Sequence, residues 1–382
     1  MNQTPSLALE LETIPTPALL LDLHRVNRNA RRLTERVRVL GVRLRPHIKT
    51  HKCLELARIQ TAGHFGGITV SNLAEARVFA ANGFSDITYA VPIEPGKFQA
   101  VIDLTRTCDR FSVITDDLDL PELLNQAARK AGITIRVFVE VDSGDHRCGV
   151  DPHSDAALRL VEQLAEASHL DLAGILTHAG HSYQSRTPSE SQSIAQQERD
   201  IMVNLAHKAR RRGLEIGTIS IGSTPTIVHA DHLDGIDEVR PGNSIFFDAF
   251  QVAHHNCQVD DCALTVLAAV IHRDVHQRKI VIDAGAIALS KDQGACDLDA
   301  QSGYGRVCDL DGNDLGLVVT SVSQEHGKIH HVPEPLLHQL KVGTRVRVLA
   351  NHSCLTAAQH TCYHILEDRT VIDRWKIHQG WA

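Results

Sequence analysis

The densest group of residues that could do chemistry lies at positions 45–52, where the sequence reads RPHIKTHK. The segment follows an alternating apolar run at 41–44, so it lies where a strand passes into a loop. Cationic neighbours disfavour the ammonium form of a lysine and so make its amine a better nucleophile. Lys49 needs this property to hold a carbonyl cofactor as a Schiff base. Taken alone, the segment is more typical of a solvated basic loop.

Further polar groups follow other predicted strands. One is an arginine after the strand at 133–141, and two are short glycine-containing turns, which can direct backbone N–H groups at a phosphate. A lysine, an arginine and two such turns at strand ends fit a pyridoxal phosphate site, although each turn alone is more often only a turn. The candidate cofactor residues are His47, Lys49, Arg147, His178, Tyr183, Gly222, Ser223, Thr224, Arg240, Gly242 and Asn243.

A second candidate site lies far downstream, after the predicted strand that ends at Ala350. His352 and Cys354 are two positions apart, so on an extended segment both side chains project to one face. Imidazole and thiolate are ligands for a cation such as Zn²⁺. A structural zinc needs four ligands, whereas a catalytic metal keeps positions open for water or substrate. On the motif alone, a buried cysteine beside a hydrogen-bonded turn histidine is the more common outcome.

The elements that must position these residues change character near residue 265. From 17 to 265, short apolar strands alternate with amphipathic helices, a pattern that predicts an α/β fold with a (β/α)₈ barrel. The apolar run at 18–23 is the first strand of this pattern. From 266 to 382, strands separated by Gly/Asp turns predict a mostly antiparallel β domain.

Composition limits the classes of function. The chain has 382 residues, 43% hydrophobic and 22% charged, with a net charge of −7. This balance is ordinary for a soluble enzyme and argues against a general nucleic-acid binder. No stretch of the length and apolarity of a membrane span occurs, and the N-terminus does not read as an export signal, so we expect a cytoplasmic protein. The nine scattered cysteines predict free thiols.

Together these residues resemble the fold type III, alanine racemase-like pyridoxal phosphate enzymes, and within them the group of D-serine dehydratases and D-threonine aldolases. The resemblance extends over nearly the whole chain and rests on motifs at 16–18, 45–52, 140–149, 177–180, 222–225, 282–285, 324–327 and 351–354. It implies that Lys49 carries the cofactor and acts as the base at Cα, and that Arg147 hydrogen-bonds the phenolic oxygen of the cofactor. It also implies that the β domain, joined by residues 1–16, supplies His352 and Cys354 as metal ligands.

The metal pair separates sister activities within this group. Its aldolases carry His-x-Asp and its dehydratases His-x-Cys, so the sequence at 352–354 resembles the dehydratases. The implied reaction is metal-assisted β-elimination on a D-3-hydroxy amino acid, of the D-serine or D-threo-3-hydroxyaspartate type, to a 2-oxo acid and ammonia. A homodimer and one divalent metal are also implied, zinc before manganese or cobalt. A D-threonine or 3-hydroxy-D-aspartate aldolase and a non-catalytic pyridoxal phosphate carrier are the alternatives.

Overall fold

The computed structural model describes residues 9–298 and 302–380, which form two compact units. One unit contains Arg32–Gly242 together with the described residues from His378 on. The other contains the described residues up to Arg31 together with Asn243–Ile377. The second unit is therefore assembled from two separate parts of the chain.

The first unit is built around eight parallel strands. The eighth strand pairs with both the seventh and the first, and a parallel bridge between His47 and Thr69 joins the end of the first strand to the second. The sheet therefore closes on itself, which confirms the predicted barrel. In chain order the eight barrel strands are Arg43–Leu44, Ile68–Val70, Asp86–Pro92, Arg110–Thr115, Ile135–Glu140, Leu170–Leu176, Thr218–Ile221 and Glu238–Val239.

Amphipathic helices alternate with these strands. Their apolar faces pack in one core with the outward side chains of the strands, while Ile114, Phe138, Ala173 and Leu176 on the alternate strand positions form a smaller cluster. The helices up to residue 242 are Leu23–Val39, Leu54–Thr61, Leu73–Ala80, Phe98–Thr107, Leu120–Ala131, Asp155–Glu166, Pro188–Arg211 and Thr224–His229.

The second unit contains an eleven-stranded sheet among the described residues. All of its pairings are antiparallel except that of Ala18–Asp22 with Cys362–Glu367, so the prediction of a mostly antiparallel domain is confirmed. Its strands are Leu9–Glu10, Ala18–Asp22, Leu264–Asp274, Lys279–Ile282, Arg306–Cys308, Asp314–Val318, Ser321–Val322, Gly327–Ile329, Arg345–Leu349, Cys362–Glu367 and Thr370–Lys376. Among the described residues after 242, four short α-helices accompany them: Ala249–Ala253, Ala286–Leu289, Glu334–Gln339 and Ser353–Ala357.

The prediction that residues 18–23 supply the first barrel strand is wrong. Ala18–Asp22 lies in the antiparallel sheet between the strands Leu264–Asp274 and Cys362–Glu367. Its apolar residues are all buried, and a strand covered on both faces shows no alternation, so the sequence cannot tell a barrel strand from a central strand of another sheet. The boundaries between the two units therefore differ from the predicted ones at 17 and 265. They lie after Arg31 and after Gly242, because residues 243–265 also belong to the second unit.

All nine cysteines lie within the described residues, and none of them forms a disulfide bond, in agreement with the prediction from their spacing. Among those same residues, no helix combines the length and the apolar composition needed to cross a lipid bilayer.

Candidate active site

The C-terminal ends of the barrel strands surround a cavity of about 400 Å³. This is the edge of a barrel at which functional residues gather. Ser71, Glu140 and Cys148 also contribute to its polar wall, although they are not among the predicted cofactor residues. Five of the predicted cofactor residues line the same cavity: His47, Lys49, Arg147, His178 and Arg240.

Lys49 occupies a short 3₁₀ turn, Ile48–Thr50, just beyond the first barrel strand. The imidazole of His47 caps the turn, because its Nδ1 accepts a hydrogen bond from the Lys49 backbone N–H at 3.4 Å. The loop after the eighth strand passes so close that a Cβ on Gly242 would lie 2.9 Å from the carbonyl oxygen of His47. Only glycine fits there without a shift of the backbone, which explains its place beside the lysine turn.

The two lysines of the motif have different surroundings. Nζ of Lys52 lies 3.3 Å from a carboxylate oxygen of Glu75, a residue that is 1% exposed. Lys49 is exposed and lines the cavity. The buried ion pair makes Lys52 a structural neighbour and leaves Lys49 as the amine at the cavity wall.

Positive charge dominates the electrostatics of the cavity. Burial, followed by the charges of Lys49 and other cationic neighbours, holds the pKa of His47 well below its ordinary value. The pKa of His178 is also held well below its ordinary value, by burial and then by Lys49, Arg147 and Arg240. Both imidazoles are therefore neutral near pH 7, and the cavity is suited to an anionic ligand.

Arg240 is held in place by a network that the sequence did not predict. Its Nη1 donates to Ser220 Oγ at 2.5 Å, and its Nη2 donates to the carbonyl oxygen of Thr177. Ser220 Oγ in turn donates to Glu238 at 2.8 Å, and Glu238 accepts from Arg45 at 2.9 Å. Burial lowers the pKa of Arg240 to about 10, partly offset by nearby carboxylates, so the guanidinium remains charged at neutral pH.

The turn at 222–224 follows the seventh barrel strand and begins a short helix, Thr224–His229. Gly222 adopts φ +103°, which a residue with a Cβ rarely does. Ser223 caps the helix through Thr226, while the hydroxyl of Thr224 is buried without a hydrogen-bond partner among the described residues. An unpaired buried hydroxyl is costly, so this turn fits a polar ligand such as a phosphate.

Two predicted cofactor residues have other surroundings. Tyr183 lies in the 3₁₀ segment Gly180–Gln184 with its ring centroid 6.4 Å from that of His178. Asn243 belongs to the second unit, where its Nδ2 donates to Asp248 at 2.8 Å and to the hydroxyl of Ser353 at 3.0 Å. The structure thus connects Asn243 with the histidine–cysteine segment rather than with the cavity wall described above.

His352 and Cys354 lie at the start of the short helix Ser353–Ala357 in the second unit. Nδ1 of His352 is 2.9 Å from a carboxylate oxygen of Asp292. Asp248 fixes the segment from another side by accepting from the backbone N–H of Ser353 at 2.8 Å. Although burial opposes the charged form, hydrogen bonds with Asp292 and Cys354 raise the pKa of His352 to about 11.

The donor set of this pair fits a divalent metal. An imidazole beside a thiol, with the second ring nitrogen oriented by a carboxylate, is a recurrent arrangement around zinc. Within residues 9–298 and 302–380, no group of three or more histidine, cysteine or acidic side chains converges on one point. Two protein ligands leave the other coordination positions open, which distinguishes the pair from a structural zinc site.

Comparison with known proteins agrees with the fold. Residues 21–249 match the family of the alanine racemase N-terminal domain, and residues 263–366 match a putative serine dehydratase domain. The chain therefore belongs to the alanine racemase-like family, in the branch that carries a serine dehydratase domain. The family resemblance drawn from the sequence motifs is confirmed.

Two named relatives and one solved structure match over nearly the whole chain. A D-threo-3-hydroxyaspartate dehydratase of Delftia sp. (strain HT23) is 37% identical over 97% of this chain and 99% of its own length. A D-serine dehydratase of Dictyostelium discoideum is 32% identical over 97% of this chain and 98% of its own. A cysteine-to-alanine mutant of a D-threo-3-hydroxyaspartate dehydratase, solved in the metal-free form, superposes with a TM-score of 0.93 at 37% identity, covering 98% of this chain and 100% of that one.

Proposed function

We propose that the protein is a pyridoxal phosphate- and divalent metal-dependent dehydratase. It would act by β-elimination on a D-3-hydroxy amino acid of the D-serine or D-threo-3-hydroxyaspartate type. The products would be a 2-oxo acid and ammonia. The observation that carries the proposal is the cationic cavity that holds Lys49, His47, His178, Arg147 and Arg240 at the C-terminal ends of the barrel strands. The names of the two relatives described above, both dehydratases, support the reaction class.

In this proposal the barrel residues bind and orient a phosphorylated carbonyl cofactor. Lys49 would hold it covalently through its side-chain amine, and the same amine would serve as the base for the α-proton of the substrate. Arg147 would donate to the phenolic oxygen of the cofactor, while Gly222, Ser223, Thr224 and Gly242 would surround its phosphate. Pyridoxal phosphate, when bound, lets the electrons of a broken Cα bond delocalise into its ring.

His352 and Cys354 would hold the metal through an imidazole nitrogen and a thiolate. A divalent ion such as Zn²⁺ supplies Lewis-acid activation of the β-hydroxyl, which is otherwise a poor leaving group. Asp292 orients the His352 ring by its 2.9 Å hydrogen bond. Zinc is the first candidate, and manganese and cobalt also suit an open site of this kind.

An aldolase is the alternative that uses the same parts. It would break the Cα–Cβ bond and release glycine and an aldehyde. The cysteine at 354 supports the dehydratase, since the aldolases that the motif resembles carry His-x-Asp at the corresponding position. We also propose that the protein works as a cytoplasmic homodimer.

Product analysis on metal-defined enzyme tests the proposal. D-serine, D-threo-3-hydroxyaspartate and D-threonine are incubated separately with protein saturated with pyridoxal phosphate and zinc, and 2-oxo acid, ammonia and glycine are quantified. We expect equimolar 2-oxo acid and ammonia from at least one of the first two substrates. Glycine as the main product would favour the aldolase. A coloured protein that turns over none of the three, with or without metal, would favour a cofactor carrier.

A further inference from the structure

A carboxylate buried beside the barrel joins two of the strand ends that form the candidate site. Glu198 lies in the middle of the Pro188–Arg211 helix and is 0% exposed. Its Oε1 accepts hydrogen bonds from the backbone N–H groups of Ala179 and Gly222, each at 3.1 Å. Ala179 directly follows His178, and Gly222 opens the turn after the seventh strand. One carboxylate oxygen therefore fixes the spacing of two loops that come from neighbouring barrel strands.

Packing alone does not require a carboxylate at this position. The buried face of the same helix is otherwise formed by small or apolar residues such as Ala195, Met202 and Leu205. Removing an ionised group from water costs several kcal/mol unless hydrogen bonds and nearby charges compensate. The two backbone N–H groups compensate in part, and Arg240, on the loop after the eighth strand, is the charged group that faces Glu198. An apolar side chain would avoid this cost but would leave two buried N–H groups without acceptors.

We propose that Glu198 is a positioning residue. It holds the turn at 222–224 at a fixed position relative to the segment that contains His178, so that the turn can receive the phosphate of the cofactor. The proposal rests on the proposed function, because it assigns the turn to that phosphate. It adds a residue that contacts neither cofactor nor substrate and acts through Gly222. The backbone N–H of Gly222 donates to Glu198 on the helix, and this hydrogen bond preorganises the turn, in which Gly222 has φ +103°, for binding a ligand.

The ionisation of Glu198 provides a signature that a purely structural role lacks. Burial raises the pKa of Glu198 to about 7, opposed by the Gly222 N–H, Arg240, the Ala179 N–H and the side chain of Thr226. Above that pH the two N–H groups donate to a carboxylate, and below it they donate to a neutral acid. Hydrogen bonds to a charged acceptor are about twice as strong as those to a neutral one. A glutamine at this position imitates the protonated acid at every pH.

The experiment titrates apoprotein with pyridoxal phosphate between pH 6 and pH 8.5 and follows the visible absorbance of the bound cofactor. We expect Glu198→Gln to bind about tenfold more weakly than wild type at pH 8, since charged hydrogen bonds become neutral ones. The ratio of the two dissociation constants should fall toward one at pH 6. The cofactor's own phosphate also ionises in this pH range, but it affects both proteins alike, so this effect cancels in the ratio of their dissociation constants. With pyridoxal, which lacks the phosphate, the two proteins should bind equally at all pH values.

Two further variants complete the test. Glu215→Gln removes an exposed carboxylate of the same unit and should behave as wild type throughout. Glu198→Asp keeps the charge with a shorter side chain, so it should bind more weakly yet retain the pH dependence, and it serves if the glutamine variant does not fold. Equal binding by Glu198→Gln and wild type at pH 8, or a ratio that stays constant with pH, would overturn the role of Glu198 alone. Failure of wild type to bind pyridoxal phosphate would overturn both this role and the proposed function.

Discussion

The barrel cavity and the histidine–cysteine segment differ in the charge that surrounds their histidines. In the barrel, the pKa of His47 and that of His178 are lowered by burial and then by cations that include Lys49 and Arg240. In the second unit, hydrogen bonds with Asp292 and Cys354 raise the pKa of His352 to about 11 although burial opposes this. The histidines are therefore neutral in the barrel cavity, whereas His352 in the second unit is cationic.

This difference indicates what each region binds. Surroundings that repel a proton also repel a metal cation, and they favour an anion such as a phosphate. Surroundings that attract a proton to His352 equally favour a divalent cation, provided that the proton leaves. The two regions thus point to ligands of opposite charge, and each can be disrupted by a substitution that leaves the other intact.

The largest expected effect is that of Lys49→Ala. Removal of the amine takes away both the covalent attachment and the proposed base, so turnover should fall by about 10³-fold or more. The visible absorbance of the lysine-bound cofactor should disappear, while the zinc content measured by mass spectrometry should not change. Lys130→Ala, an exposed lysine on the Leu120–Ala131 helix, is the control. Full absorbance in Lys49→Ala would mean that another lysine carries the cofactor.

Cys354→Ala should give the complementary result. Loss of one of two protein ligands should release the metal and lower 2-oxo acid formation by at least about 100-fold, because the Lewis acid is lost. The cofactor absorbance should remain, since the barrel cavity is untouched. Cys296→Ala, which removes an exposed thiol of the same unit, should retain metal and activity. If Cys354→Ala keeps full activity that a chelator does not inhibit, the metal assignment is wrong.

The sequence predicted the residues of these regions unequally, for physical reasons. Side chains at strand ends, such as Lys49 and Arg147, could be found because parallel strands bring their C-terminal ends together. Asp292 could not be found, since it meets His352 across 60 residues of chain and no local pattern connects them. The fold class was predicted correctly. The placement of Ala18–Asp22 was not, because it depends on which strands this one pairs with, and the sequence of a fully buried strand does not indicate its partners.

Buried carboxylates were missed for a different reason. Glutamates in polar helices usually face solvent, so Glu198 did not stand out in the long Pro188–Arg211 helix. Its spacing contained the signal, because Ala195 lies three residues before it and Met202 four residues after it on the buried face. Glu238 lies in a strand of only two residues, where no periodicity can be measured.

The smallest expected effect concerns pH and the neutral histidines of the barrel. His51 is fully buried, its Nε2 lies 2.8 Å from the side-chain oxygen of Gln60, and its Nδ1 accepts from the Cys53 N–H at 3.0 Å. Burial lowers the pKa of His51 to about 4. A proton on Nδ1 would face the Cys53 N–H donor, so the folded state binds this proton less readily than the unfolded chain does. Its contribution to stability is therefore complete above the unfolded pKa, near 6.5, and is lost as the pH falls below it.

Denaturant unfolding at pH 7 and pH 5 measures this contribution. When the pH falls from 7 to 5, the free energy of unfolding of wild type should decrease by about 2 kcal/mol more than that of His51→Asn. The asparagine oxygen can still accept a hydrogen bond from the Cys53 N–H. His207→Asn, an exposed histidine on the Pro188–Arg211 helix, should lose as much as wild type. An equal loss in wild type and His51→Asn would show that His51 titrates normally. It would also weaken the contrast with the second unit, because that contrast depends on barrel histidines that stay neutral near pH 7.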